Sequence, residues 1–189
     1  MTEAPPSADL EAWADLFRAP APNVRRALDL HAARVGGALL LRSRVLASPF
    51  FNRAIDVPAE APAVEAVVSA FEDRGVDRYL VQGDAALEPR ARQSGLLRWH
   101  RAWVVLERGP GPVVEAPTDL AIGPVRSDEA ATFAWILALG LELPDAAIPL
   151  LACMVGRPGW RTFVARDGAR PVAAAALFLH GDEAYLAGA

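Results

Sequence analysis

The chain has 189 residues, 53% of them hydrophobic, and its 23 acidic and 19 basic side chains give a formal net charge of −4. This composition excludes a disordered, highly charged chain, and the lack of any basic block disfavours a nucleic-acid or anionic-membrane surface. The sequence starts without a secretory pattern, and its apolar runs are shorter than the ~20 residues of a membrane span, so we expect a cytoplasmic protein.

Few residues carry chemistry by their type alone. All 19 basic residues are arginine, and together with abundant Ala, Gly and Pro this suggests a GC-rich bacterial genome rather than a need for guanidinium groups. Cys153 lies in an apolar run, where a buried structural thiol is favoured over a nucleophile. No Cys/His spacing is typical of a metal site. The inventory therefore predicts neither thiol nor metal chemistry.

The first 108 residues predict a module of short helices and strands. The expected elements, in chain order, are a helix containing Leu10, Trp13, Leu16 and Phe17, a helix over 23–31, strands over 38–41 and 50–57, a helix over 62–74, a strand over 76–81, a helix over 84–93 and a strand over 99–107. Pro62 suits a first helical turn, and Gly75 suits a C-terminal stop. This alternation predicts a mixed α/β sheet.

A segment dense in proline and glycine, residues 109–117, separates the first module from a second one at 118–189. Ser127 can cap a helix there, and Asp167-Gly168 and Gly181-Asp182 mark two hairpin turns. The expected order is a strand over 119–125, a helix from Ser127, a helix through 150–155, and strands over 160–166, 170–179 and 183–189. We therefore predict two domains of α/β (α+β) class, 1–108 and 118–189.

Three stretches of the second module match a known fold. Pro158-Gly159-Trp160 leads into a strand, residues 166–174 give a charged hairpin tip followed by small residues, and 185–189 form the next strand. With the preceding strand and two helices, they resemble the first half of the GNAT superfamily of N-acetyltransferases. The resemblance implies transfer of an acetyl group from acetyl-CoA to a small-molecule or peptide amine, and it allows a homodimer.

The resemblance also implies a site. In the family, the fourth strand of the sheet presents backbone N–H groups to the thioester oxygen, which implies cofactor contacts from the backbone of Leu186, Ala187, Gly188 and Ala189. Glu183 and Glu142 are the candidates for a general base, although each also fits an ordinary surface charge. A bound water is the third option for the base.

The family's pyrophosphate loop, Arg/Gln-x-x-Gly-x-Gly/Ala at a helix N-terminus, does not occur in the sequence. Three glycine-containing stretches, Gly36-Gly37, Gly109-Pro110-Gly111 and Arg157-Pro158-Gly159, fit turns rather than a phosphate-binding helix start. We therefore expect the second module to be the first half of a GNAT domain that stops before its cofactor loop. We also expect weak or absent acetyl-CoA binding and no turnover by this chain.

The strand–helix–strand–helix–strand order of residues 50–107 resembles the later half of a GNAT domain. Where a phosphate loop would lie, Val57–Pro62 has prolines and a carboxylate, which withhold N–H donors and repel an anion. We therefore expect a degenerate GNAT-like module that shapes its neighbour's acceptor site. Two alternatives stay open: a noncatalytic GNAT-like ligand- or protein-binding protein whose modules complete one permuted sheet, and an unrelated α/β domain.

Overall fold

A computed structural model of the chain describes residues 7–99, 111–112 and 116–188. The helices are α1 (Ala8–Arg18), α2 (Pro22–Ala27), α3 (Ala61–Glu72), α4 (Leu87–Gln93), α5 (Ala130–Gly140) and α6 (Ile148–Ala152). The strands are β1 (His31–Val35), β2 (Ala38–Arg42), β3 (Arg53–Ile55), β4 (Leu80–Val81), β5 (Ala121–Pro124), β6 (Trp160–Asp167), β7 (Arg170–His180) and β8 (Glu183–Gly188). Apart from Trp99, the strand predicted over 99–107 lies outside the described residues. No described helix is long and apolar enough to cross a membrane.

The strands form two separate four-stranded sheets. Sheet A has the order β1-β2-β3-β4, in which the first three strands are antiparallel and β3 runs parallel to β4. Sheet B has the order β5-β6-β7-β8 and is antiparallel throughout. The mixed helix-and-sheet class is confirmed. One permuted sheet shared by both modules is a wrong prediction, because within the described residues no strand of sheet A pairs with one of sheet B.

Sheet A differs from expectation at its start. The helix predicted over 23–31 ends at Ala27, because Asp29 adopts a φ of 49° and turns the chain into β1. That strand was not predicted. It forms a hairpin with β2 through Gly36-Gly37, so that His31 lies opposite Arg42.

The strand predicted over 50–57 is reduced to three residues because an asparagine organises the chain before it. Asn52 is 1% exposed. Its Oδ1 atom accepts a hydrogen bond from the Ser43 amide at 2.8 Å, and its Nδ2 atom donates to the Leu46 carbonyl at 2.9 Å. These bonds hold residues 43–52 as a loop and leave only Arg53–Ile55 to pair with β2.

Helix α1 belongs to the first module in sequence but packs against both sheets. Its predicted apolar face is buried in one core with residues of β2 and of the inner face of sheet B. Asp15 fastens the helix to the second module: its Oδ2 atom accepts a hydrogen bond from Trp160 Nε1 at 2.6 Å and pairs with Arg157 at 2.9 Å. The two modules therefore share a core rather than folding side by side.

The two sheets differ in how they are covered. In β2, Leu39 and Leu41 face α1, whereas Leu40 faces α3 and its buried Phe71, so both faces of sheet A are buried. Helices α1, α5 and α6 cover only the inner face of sheet B. The outer face leaves Ile122 64% and Leu186 58% exposed.

Candidate functional site

Strand β8, on which the sequence places the cofactor contacts, is an edge strand of sheet B. Among the described residues it pairs with β7 alone. The backbone N–H and C=O groups along its other edge are therefore outside the sheet's hydrogen-bond ladder. Leu186, Ala187 and Gly188 lie on this strand as predicted, and Ala189 lies outside the described residues.

The pairing of β8 is irregular at the predicted contact residues. Leu186 lies opposite Leu177, whereas Gly188 lies opposite Ala176, so Ala187 is an extra residue in the ladder. A bulge of this kind removes a residue from regular pairing and re-aims its backbone, and bulges are frequent next to active sites. Ala187 therefore stands outside the regular β7–β8 pairing, within the stretch that the sequence resemblance assigns to the cofactor. The sequence named Ala187 among four contact residues but gave no signal of the bulge.

The inner side of β8 is closely packed. A Cβ atom on Gly188 would lie 3.2 Å from the Cδ1 atoms of Leu137 and Leu141, so helix α5 rests on the glycine backbone. Tyr185 and Ala187 line an apolar cavity of about 10 Å³. Such a cavity holds about one water molecule, which is too little for a thioester. Ligand access to this strand is therefore from the edge.

The two candidate bases, Glu183 and Glu142, have different surroundings. Glu183 Oε2 accepts a hydrogen bond from the Ala8 amide at 3.0 Å, where a carboxylate also stabilises the N-terminus of α1. Five residues of strand, about 16 Å at 3.3 Å per residue, separate Glu183 from Gly188. Glu142 is exposed and follows Leu141, which packs on Gly188. Glu183 is thus engaged at the start of α1, whereas Glu142 is an exposed side chain next to a residue that packs on Gly188.

In sheet A, the corresponding phosphate position is the N-terminus of α3, and it is covered. The β1–β2 hairpin approaches so closely that a Cβ on Gly36 would lie 2.8 Å from Ala63 Cα. The Glu60 carbonyl accepts the N–H groups of Ala63 at 3.0 Å and Val64 at 3.3 Å, and Pro62 has none to donate. Few backbone N–H groups at the start of α3 are left for an anion. This agrees with the expectation that the prolines of residues 57–62 withhold N–H donors.

The parallel strands β3 and β4 also stay together beyond their last paired residues. The Gln82 amide donates to the Ala54 carbonyl at 2.8 Å, and the Val57 amide donates to the Gln82 carbonyl at 2.9 Å. A Cβ on Gly83 would lie 2.6 Å from the Val57 oxygen. No gap opens between these strands, so a pantetheine-like arm has no path through this part of sheet A.

Arg53 of β3 is buried where sheet A meets α1 and β8. It is 4% exposed, and its guanidinium carbon lies 4.2 Å from the centre of the Trp13 ring and 4.9 Å from that of Phe50. Burial lowers the pKa of Arg53 to about 10, although Tyr185 and Asp9 oppose this shift. Burial also raises the pKa of Tyr185, which a Trp13 hydrogen bond counteracts. The cluster joins the modules; it is not an open site.

A roomier cleft, of about 160 Å³, lies between α5 and the β6–β7 hairpin. Its apolar part includes Phe133 and Val164, and its charged wall is an Arg166–Glu129 ion pair. The backbone amide of Arg126, and then Arg166, hold the pKa of Glu129 below its usual value. Because the charges of this wall are matched, the cleft has no excess charge to select an ionic ligand.

Cys153 and Tyr79 both contact neighbouring residues of their own module. Cys153 is only half-buried, contrary to the expectation of a buried thiol; its Sγ atom donates to the Pro149 carbonyl at 3.1 Å, and burial raises its pKa, which disfavours a thiolate nucleophile. Tyr79 stacks on Phe71 with ring centres 4.2 Å apart. In the part of the chain described, no cluster of His, Cys, Asp and Glu could hold a metal ion.

Comparison with known proteins gives no relative. No family model matches the chain, and no curated protein and no solved structure matches it significantly.

Proposed function

We propose that this chain is a GNAT-type acyl-CoA-dependent N-acetyltransferase by descent, in which residues 119–188 form the opening half of the catalytic fold. The observation that carries the proposal is sheet B: one strand, two helices and an antiparallel meander, with the bulge at Ala187 in the fourth strand. This is the element order that the sequence resemblance implies, with an irregular backbone at the residues it assigns to the thioester. The acceptor would be a small-molecule or peptide amine in the cytoplasm.

The chemistry follows from β8. Acetyl-CoA supplies the acetyl thioester. The Ala187 N–H would donate to the thioester oxygen and stabilise the oxyanion as the amine adds to the carbonyl carbon. Glu142 or a water would take the amine proton as the C–N bond formed, and that proton would pass to the CoA thiolate released when the C–S bond broke.

Sheet A and the packing of β8 support weak binding of acetyl-CoA by this chain. The sequence has no pyrophosphate loop, the start of α3 is covered, and the cavity inside β8 has room for about one water. We expect no turnover by these 189 residues.

Titration with acetyl-CoA tests this proposal, by calorimetry for affinity and by amide NMR for location. We expect no measurable heat at micromolar ligand, and shifts of the Ala187 and Gly188 amides at millimolar ligand. The amides of Gly83 and Gly168, in sheet A and at a distant hairpin, serve as internal controls and should stay in place. Micromolar affinity would overturn the weak-binding claim, and unmoved β8 amides would overturn the site.

A noncatalytic binding role is the second candidate, favoured by the closed β3–β4 pair of sheet A. Under this reading neither sheet binds a thioester, so millimolar acetyl-CoA leaves the β8 amides unshifted. The same NMR titration therefore separates the two candidates.

A further inference from the structure

Arg42, the last residue of β2, is a buried cation without a partner among the described residues. It is 8% exposed, its Nε atom is fully enclosed, and no hydrogen bond or ion pair joins it to another described residue. Buried charges are normally paired, because removing them from water without compensation is costly. An anion bound at Arg42 would supply this compensation.

Two further arginines belong to the same part of the fold. Arg44 shares Asp29 with His31, the residue opposite Arg42 in the hairpin, and Arg74 follows α3, against which this face of β2 packs. Arg42 lies on the face of β2 that Leu40 directs toward α3. Burial lowers the pKa of Arg42, and the positive charges of Arg74, just after α3, and of Arg44 lower it further, whereas Asp29 opposes them. We call Arg42, Arg44 and Arg74 the arginine corner.

The carboxylate that acts on the arginine corner is already engaged. Asp29 Oδ1 lies 3.0 Å from His31 Nε2, and Asp29 Oδ2 accepts from Arg44 Nε at 2.6 Å. One carboxylate against three guanidinium groups leaves the corner with excess positive charge. Of the guanidinium nitrogens of Arg42, Nε is the one that is enclosed without a hydrogen-bond partner, so an anion would approach the two terminal nitrogens.

We propose that the arginine corner binds a phosphate dianion, either free phosphate or the phosphate group of a small phosphomonoester. Guanidinium groups match phosphate oxygens in geometry and in charge, and partial burial strengthens such bonds. The site lies in sheet A and is independent of the proposed acetyl transfer at β8.

Thermal unfolding of the whole chain with added inorganic phosphate tests the site, with sodium chloride at equal ionic strength as the reference. At ten times its dissociation constant, phosphate should raise the Tm by about 4 °C. Arg42→Met should abolish this rise. Without phosphate, this variant should unfold at the same or a higher temperature than the wild type, because it removes a buried unpaired charge.

A matched control is Arg34→Met, an exposed arginine of the same hairpin that donates to the Gly37 carbonyl at 3.0 Å; it should keep the full phosphate response. Arg74→Met should reduce the apparent affinity several-fold and serves if Arg42→Met does not fold. Glycerol 3-phosphate binding more tightly than phosphate would identify a phosphomonoester as the ligand, and equal affinity would indicate free phosphate. A wild-type Tm unaffected by both anions, or an Arg42→Met protein that still responds, would overturn the proposal.

Discussion

Sheets A and B share a core but differ in how their faces and edges are covered. Sheet A has helices on both faces, a hairpin pressed onto the start of α3, and a parallel strand pair that stays closed. Sheet B has helices on its inner face, exposed apolar side chains on its outer face, and an irregular edge strand. A sheet with both faces covered has little backbone to offer a ligand, whereas an edge with a bulge offers it directly. This difference favours sheet B over sheet A as the site of the proposed acetyl transfer.

The largest expected difference in stability is between a substitution under the covered face of sheet A and one on the exposed face of sheet B. Phe71 is fully buried under sheet A, and Phe71→Ala should destabilise the protein by about 4 kcal/mol. Leu186 on the outer face of sheet B is 58% exposed, and Leu186→Ala should change stability by less than about 0.5 kcal/mol. Urea denaturation measures both. Similar losses for the two variants would mean that the outer face of sheet B is covered in solution.

The β1–β2 hairpin of sheet A and the β6–β7 hairpin of sheet B each turn at a glycine, and the two glycines allow a direct comparison of the sheets. Gly36 and Gly168 have nearly the same φ, 57° and 58°, but a Cβ meets Ala63 at 2.8 Å only in the first case. Gly168→Ala should cost about 1 kcal/mol from φ alone. Gly36→Ala should cost about 3 kcal/mol, because a steric clash is added. Equal costs in urea denaturation would show that the hairpin does not press on α3.

Arg53 tests how the two sheets are joined. Arg53→Ala should destabilise by about 2 kcal/mol, since lost contacts with two aromatic rings outweigh the relief of a buried charge. Arg53→Met should cost less than half of that, because it keeps the packing and removes the desolvation penalty. Arg161→Ala, at an exposed arginine of β6, is the matched control and should be nearly neutral. If Arg53→Met destabilises the protein more than Arg53→Ala, the packing of the Arg53 side chain is not its main contribution to stability.

The smallest expected effect is the pH dependence of stability that Glu129, beside sheet B, contributes. The pKa of Glu129 is lowered in the folded protein, so its stabilising contribution is present above the unfolded pKa and is lost as the pH falls through the folded pKa. Between pH 7 and pH 3 the urea midpoint of the wild type should therefore drop more than that of Glu129→Gln. Equal drops in the two proteins would contradict an Arg166–Glu129 contribution.

The elements that could be predicted are those with a local signal. The apolar faces of α1 and α3 follow a helical period, and the meander β6–β8 follows two turn dipeptides. The predicted bounds of α3 and of β6–β8 are off by no more than two residues. Strand β1 was missed because Asp29, whose turn starts it, looks like a residue inside a helix. The strand over 50–57 was overextended because Asn52 acts through the distant Ser43.

The candidate site was predictable in part. The sequence placed Leu186–Gly188 on one strand, which the structure has, but the bulge at Ala187 depends on how β8 meets β7. Of the two candidate bases, nothing local distinguished Glu183, which accepts a hydrogen bond from the start of α1, from Glu142, which is exposed. The arginines gave no signal either, because every basic residue of this chain is arginine.

The sequence by itself determined the apolar faces of α1 and α3, the meander β6–β8 and the absence of a phosphate loop, because these depend on residues close together in the chain. Only the tertiary structure decided that α1 serves both sheets, that β3 and β4 close, that β8 carries a bulge, and that Arg42 and Arg53 are buried. Each of these depends on residues far apart in sequence, whose pairing is set by the shared core and not by any local pattern.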